Sequence, residues 1–436
     1  MNPPPVPGAA VLPAHALRDF TEALDGLPRS HPRVIGRWLL RFGMAAMLSL
    51  VLTGPAAPNI CLAVAGLGCV LSRPPLRQLP GLPWGLLFFA WVGLSAIISA
   101  RTGFSAHPMI GLGLIYTWVV LYLGQLAFCH EPTLRIALRV LSIVVVASSI
   151  LALLQFTIGL GTHGPLRLDP HGKRFEHGVG FMNLHLSQGP VMAYDALLLA
   201  AASTLLLIPR SPGLAGSVGA AIAVFLSTAR MAYLGLAAGV GAAFAARGVR
   251  YLGRALLYTA LIAGLAIAIL YLWQPLRTAR ALHGDDGRWL IWRTSVRLIA
   301  THPLIGTGGP EGFKAEYSWQ FPLANPGAKD EFIVGGAPHA HNSFLSIAAE
   351  HGLPALILYL GMLLGALHGC WRRRHSCPMA WQLGLAVVVA GTVAGMFENL
   401  AGHSVPSYAF FLVLAISSVL PGRPAAPALA TDPARP

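Results

Sequence analysis

LRIALRVLSIVVVASSILALLQFT is the stretch from residue 134 to residue 157, and its only charges are Arg135 and Arg139 near its beginning. A helix needs about 20 mostly apolar residues to cross the hydrocarbon core of a bilayer. This stretch therefore predicts a transmembrane helix that holds both arginines at one membrane surface.

The composition of the whole chain points the same way. Only 11% of its 436 residues are charged and 55% are hydrophobic, and the mean hydropathy is +0.64. Soluble domains carry about 25% charged residues. The composition therefore predicts a polytopic membrane protein. It excludes a soluble enzyme, a disordered protein and a disulfide-stapled secreted domain.

Eleven other stretches resemble the first one, so the sequence predicts an all-α protein with about twelve transmembrane helices. Two neighbouring pairs form tight hairpins, which leaves a count between ten and twelve open. The predicted spans lie at residues 38–54, 56–72, 82–100, 108–128, 134–157, 184–208, 213–229, 231–246, 254–273, 343–368, 379–397 and 404–420.

The basic residues predict the orientation of this transmembrane domain, which covers residues 38–420. The chain carries 30 basic and 16 acidic residues, a net charge of +14. With residues 1–37 and the tail 421–436 in the cytoplasm, most basic residues lie inside, as the positive-inside rule requires. Ten others lie in two long outer loops, 158–183 and 274–342. The charge excess is thus mainly a topology signal, and it predicts no nucleic-acid partner.

The longer outer loop contains a predicted amphipathic helix, in the sequence DDGRWLIWRTSVRLIATHP that begins at Asp285. Asp285 or Asp286 is suited to cap its start, and Pro303 follows its end. We expect this helix to lie at the outer membrane surface, with tryptophans as interfacial anchors. Its apolar residues recur at helical spacing, namely Trp289, Trp292, Val296 and Ile299.

Several outer arginines and histidines suit chemistry on an anionic, lipid-attached substrate. Guanidinium groups bind phosphate oxygens bidentately, and a neutral histidine can accept a proton from a hydroxyl. These residues fit transfer of a group from a lipid diphosphate to an alcohol, with His341 as the base and Arg288 stabilising the leaving group. Further substrate-binding candidates are Arg174, Arg230, Arg293, His339 and Asn342.

Each of these candidate residues also suits a purely structural role. His341 stands at a predicted helix start, Arg230 at a helix end where long side chains reach the membrane surface, and Arg293 faces lipid headgroups. Glu350 is placed either to orient His341 or to pair with an arginine. His339 and His341 form a His-x-His pair, which has too few ligands for a metal ion, so we predict no metal.

Four segments resemble a known family. His341 and Asn342, followed by Leu345, Glu350 and Gly352, resemble the His-Asn-x-x-Leu…Glu-x-Gly signature of the O-antigen ligase and polymerase superfamily. Residues 288–308 are similar to the pattern that precedes this histidine. Residues 227–230, with the sequence Ser-Thr-Ala-Arg, resemble the family's Ser-x-x-Ser-Arg segment, and residues 180–183 resemble its first outer-loop motif.

This resemblance implies an all-helical membrane fold of the GT-C type in the bacterial inner membrane, with a periplasmic active site. It implies transfer of O-antigen polysaccharide from undecaprenyl diphosphate to a sugar hydroxyl of lipid A–core. The transfer inverts the anomeric centre and uses no cofactor. His341 maps to the family's essential histidine, and Arg288 to its essential loop arginine.

Three other functions remain open at this stage. An O-antigen polymerase would use the same donor but a second lipid-linked glycan as acceptor, and a protein O-oligosaccharyltransferase is a further sibling. Twelve spans also suit a secondary transporter. Transporters, however, concentrate charges at the membrane midplane and show paired halves, whereas this chain gathers its charges at one face.

Overall fold

The computed structural model describes residues 32–53, 56–74, 79–101, 115–158, 185–227, 229–273, 287–328, 339–400 and 404–421. Across these ranges the chain forms fourteen α-helices, two short 3-10 helices and no β-strand. The helices are α1 Pro32–Leu50, α2 Ala56–Ser72, α3 Leu82–Arg101, α4 Ile115–Phe128, α5 Glu131–Ile158, α6 His185–Thr204, α7 Arg210–Leu226, α8 Arg230–Ala245, α9 Leu252–Trp273, α10 Arg288–Thr301, α11 Pro310–Ala324, α12 Ser343–Arg372, α13 Pro378–Gly395 and α14 Ser404–Val419.

The predicted all-α class is confirmed, and a helix lies at each of the twelve predicted spans. The agreement is closest for α2, which covers the predicted span 56–72 residue for residue. Within the described residues, five helices are long and apolar enough to cross a membrane, namely α1, α3, α5, α12 and α13. The chain is therefore a polytopic membrane protein, and the number of twelve spans stays a prediction.

Within its described residues, the predicted outer loop 274–342 contains one helix that the sequence predicted and one that it missed. The amphipathic helix is present as α10, but its N-cap is Gly287, in the left-handed conformation with φ 69°, rather than Asp285 or Asp286. The second helix, α11, has Pro310 in its first turn and Glu311 beside it. Both residues favour a helix start.

Close packing between α8 and α13 determines which helix ends lie together. A side chain at Gly235 would lie 2.9 Å from the carbonyl oxygen of Ala390, and one at Gly239 would lie 3.0 Å from that of Ala386. The two helices are therefore antiparallel. Arg230, at the start of α8, consequently lies level with the residues that follow the end of α13.

A kink divides α12 near its start, at Gly352, whose φ is 85°. A side chain there would overlap the backbone carbonyl of Leu304. The loop after α10 lies against this kink and supplies hydrogen bonds, because the amides of Thr307 and Gly308 donate to the carbonyls of Ala349 and Glu350 at 2.9 and 2.7 Å. These bonds satisfy carbonyl groups that the kinked helix leaves without an internal partner.

A small second hydrophobic core joins α10 and α11 to the beginning of α12. Because Ala340 belongs to this core, packing of the two loop helices fixes the backbone directly before His341. Its buried members are Ile291, Leu298, Phe313, Tyr317, Phe321, Ala340 and Ala349.

Candidate functional site

His341 lies against a buried carboxylate, Glu398, in the segment between α13 and α14. Its Nδ1 is 3.0 Å from Glu398 Oε1, and the Glu398 side chain is only 3% exposed. An ionised carboxylate can only accept hydrogen bonds, so Nδ1 carries the proton and donates a hydrogen bond to Glu398. The other ring nitrogen, Nε2, is then left with a lone pair that can accept a proton.

The electrostatics of the pair keep Glu398 ionised. Burial of this carboxyl favours its neutral form and so raises its pKa. The hydrogen bond that the His341 imidazole donates, with a further hydrogen bond from the Asn399 amide, outweighs burial and lowers the pKa below its usual value. The Asn399 amide donates to the same oxygen, Oε1, at 3.0 Å. At neutral pH the site therefore contains a carboxylate.

The backbone of His341 is held in an uncommon conformation. Its φ is 49°, in the left-handed region, which few residues other than glycine adopt and which is often found at functional sites. The amide of His341 donates to Nδ1 of His339 at 3.1 Å, and the two imidazole rings pack with their centroids 4.3 Å apart. His339 thus holds His341 through its backbone and its ring.

Asn342 caps α12 and ties its start to the segment that contains Glu398. The Asn342 Oδ1 accepts hydrogen bonds from the amides of Phe344 and Leu345 at 3.0 Å each, and its Nδ2 donates to the Met396 carbonyl at 3.1 Å. Ser343 Oγ adds a bond of 3.1 Å to the Glu398 carbonyl. Asn342 therefore positions the site, and substrate contact by this residue stays a prediction.

Two predicted arginines lie at the same end of the helix bundle as His341. Arg230 begins α8 and lies level with the chain after α13, where Glu398 is found. Arg288 begins α10, and Trp292, one turn later, contacts Phe397 with ring centroids 6.4 Å apart. Both arginines thus begin helices at the end of the bundle that contains residues 396–399.

The remaining candidates have different positions. Arg293 is exposed on α10, as suits a contact with lipid headgroups, and Arg174 lies outside the described residues. Glu350 does not orient His341, because the carboxylate bonded to that imidazole belongs to Glu398. Glu350 is instead buried behind the kink of α12, where its backbone carbonyl accepts the Gly308 and Gly309 amides.

Sequence reasoning missed Glu398 because 57 residues separate it from His341. A signal was nevertheless present. Glu398 is the only acidic residue between Glu350 and Asp432, and it directly follows the predicted span 379–397. A lone carboxylate at a membrane-helix end needs a partner, and the histidines at the start of the preceding span were candidates.

The side chains of His339, His341 and Glu398 together also have the composition of a metal site. His339, His341 and Glu398 each offer one ligand atom, and these atoms lie within 4.8 Å of one another. A His-x-His pair alone has too few ligands for a metal ion. Because Glu398 supplies a third ligand, the number of ligands no longer excludes a metal ion here. Two histidines and a glutamate are a known zinc ligand set. A metal-free site therefore stays a prediction that needs its own test.

A comparison with protein families agrees with the motif reading. Residues 215–360 match the sequence model of the family described as O-antigen ligase. The matched segment contains Arg230, Arg288 and His341, and ends before Glu398. No curated protein matches the chain significantly. The match confirms the family resemblance over residues 215–360, about a third of the chain.

Proposed function

We propose that this protein is a glycosyltransferase that moves O-antigen polysaccharide from undecaprenyl diphosphate to a sugar hydroxyl of lipid A–core. The reaction takes place at the periplasmic face of a bacterial inner membrane. The His341–Glu398 pair carries the proposal, because it provides a proton acceptor at the same end of the helix bundle as Arg230 and Arg288.

The proposed chemistry is a single displacement. Nε2 of His341 accepts the proton of the acceptor hydroxyl, and the hydroxyl oxygen bonds to the anomeric carbon of the donor. The bond between that carbon and the diphosphate oxygen breaks, and the electron pair leaves with undecaprenyl diphosphate. Attack from the face opposite the leaving group inverts the anomeric centre.

Arginines stabilise the diphosphate as it leaves. Arg288 is the principal candidate, because the amides in the first turn of α10 also favour an anion. Arg230 approaches from the start of α8. A guanidinium group stays charged on burial and binds two phosphate oxygens at once. Two such groups neutralise a departing diphosphate without a metal ion.

Arg288 is expected to contribute through its planar fork as well as its charge. Replacing Arg288 with alanine should lower the initial rate of glycan transfer by about 10²-fold, which is typical of losing one charge-stabilising donor. Arg288→Lys keeps the charge but not the fork, so its rate should lie between those of wild type and Arg288→Ala. Purified protein with lipid-linked donor and lipid A–core provides the measurement.

Arg297→Ala is the matched control for this series. Arg297 is exposed on the same helix and donates to Gln320 at 2.9 Å, so its loss should leave the rate near that of wild type. Equal losses in Arg288→Ala and Arg297→Ala would show that general charge on α10 matters and that Arg288 has no special role.

Chelation tests the prediction that the site uses no metal. Incubating the purified protein with EDTA, followed by removal of the chelator, should leave the transfer rate unchanged, because His341 Nδ1 already bonds to Glu398 and arginines supply the positive charge. A loss of activity that zinc restores would contradict this mechanism and make the residues of the pair metal ligands.

A deletion strain distinguishes the proposed ligase from its nearest relatives. Loss of a ligase leaves long glycan on the carrier lipid and bare lipid A–core. Loss of a polymerase leaves a single repeat unit attached to the core. We expect the first pattern, and reintroducing the wild-type gene should restore long glycan on the core.

A further inference from the structure

A polar cavity lies at the opposite end of the helix bundle from His341. It has a volume of about 710 Å³ and lies between the end of α8 and the turn that joins α12 to α13. α12 begins beside His341 and runs for 30 residues to Arg372, roughly 45 Å along the helix at 1.5 Å per residue. The cavity therefore takes no part in the proposed transfer.

All the charged residues that line this cavity are basic. Arg247, Arg250 and Arg374 contribute to its walls, and no carboxylate of the described residues does. No ion pair to a described carboxylate neutralises any of these three guanidinium groups. Arg373, by contrast, faces away and donates to the carbonyls of Ser418 and Leu420 at 2.8 and 2.6 Å.

Neutral partners hold the three guanidinium groups in place. Arg374 stacks on Trp371 at 3.8 Å from the ring centroid, and Arg250 lies over Tyr251 at 4.9 Å. Arg247 donates from Nε to the side chain of Gln382 at 3.1 Å. Stacking and amide contacts orient the planar forks but leave their positive charges uncompensated. Such a cavity is suited to bind phosphate oxygens.

The rim next to the basic walls is apolar and exposed. Val249 is 88% exposed, and Leu252 and Leu256 follow it on the outer face of α9 at 47% and 65%. In a membrane protein these side chains meet acyl chains, so phosphate-binding groups and lipid-facing groups lie side by side. A free phosphate ion would use the first set alone, whereas a phospholipid uses both.

We propose that this cavity binds the headgroup of an anionic phospholipid from the membrane leaflet opposite the transfer site. The basic residues at this end predict that it faces the cytoplasm, where basic pockets between transmembrane helices bind anionic headgroups. The lipid phosphate lies between the Arg250 and Arg374 guanidinium groups, and the acyl chains run along Leu252 and Leu256.

Lipid binding by the full-length protein tests this proposal. The purified chain, delipidated in neutral detergent, is titrated with phosphatidylglycerol and phosphatidylcholine and examined by native mass spectrometry. We expect saturable binding of phosphatidylglycerol in preference to phosphatidylcholine. R250Q/R374Q should weaken it by up to about 30-fold, since each arginine near an anionic lipid contributes roughly a fivefold change.

R33Q/R139Q is the matched control. Arg33 on α1 and Arg139 on α5 are exposed and outside the cavity, and their replacement removes the same charge. We expect this variant to bind phosphatidylglycerol like wild type. R250K/R374K retains the charge but not the forks and should show a smaller loss than R250Q/R374Q, which guards against a variant that misfolds.

Two results would overturn the proposal. Equal weakening in R250Q/R374Q and R33Q/R139Q would mean that general charge, and not this cavity, attracts the lipid. Displacement of phosphatidylglycerol by glycerol phosphate or inorganic phosphate at equal concentration would mean that the cavity binds free phosphate compounds. Glycan transfer is measured in parallel, and its loss or retention in His341 variants has no bearing on either result.

Discussion

Replacing His341 with alanine is expected to lower the rate of glycan transfer by about 10³–10⁴-fold, in the upper part of the range for loss of a general base. The reason is that Nε2 is the proton acceptor, and the Glu398 carboxylate fixes it in the accepting tautomer. Initial rates measured with purified protein, lipid-linked donor and lipid A–core at neutral pH provide the test.

Two further variants make this experiment decisive. His368→Ala removes an exposed histidine from the other end of α12 and should transfer glycan at the wild-type rate. His341→Gly removes the same imidazole but suits the left-handed backbone at this position better than alanine does. If both His341 variants retain wild-type melting temperatures and activity, His341 is not the base and the mechanism is wrong.

Replacing Glu398 with glutamine should lower the rate of glycan transfer by about 10⁴-fold, as does loss of the orienting carboxylate in other carboxylate–histidine pairs. The glutamine amide can donate a hydrogen bond to Nδ1, which favours the tautomer with the proton on Nε2, so the ring loses its function as a base. Glutamine also keeps an oxygen that can accept the Asn399 amide, so the fold of the segment should persist.

A double variant separates orientation of His341 from any independent role of Glu398. If Glu398 acts only through the imidazole, H341A/E398Q should be no slower than His341→Ala alone, because groups that act as a unit have non-additive effects. Multiplicative losses of rate would contradict the view that Glu398 acts only through His341.

The lowered pKa of Glu398 keeps this carboxyl ionised between pH 5 and 8. A decline in the transfer rate on acidification within that range therefore does not arise from Glu398.

Much of the fold could be predicted from the sequence because apolar length alone defines a membrane helix. The stretch 134–157 contains little but aliphatic side chains, and α5 covers it fully. The helix start was harder to place where no strong cap exists. Gly287 begins α10 through its left-handed backbone, and the two preceding aspartates were the more obvious candidates.

The candidate site was only partly accessible from the sequence. His341 carried a motif, and its place at the start of α12 followed from the adjoining apolar span. Its partner Glu398 could not be predicted in the same way, because the contact between His341 and Glu398 depends on how α12 packs beside α13. Glu350 was the nearer carboxylate along the chain. It is buried instead where the loop after α10 packs against the kink at Gly352.

The kink in α12 also indicates the depth in the membrane at which the reaction takes place. Beyond Gly352 the helix continues to Arg372, and at 1.5 Å per residue this part measures about 30 Å, the thickness of the hydrocarbon layer. In the proposed orientation, His341 and the two helical turns between it and Gly352 then lie beyond this layer, in the headgroup region of the outer leaflet. A prenyl chain can remain dissolved among the lipid tails while its diphosphate reaches the imidazole, so the donor need not leave the bilayer to react.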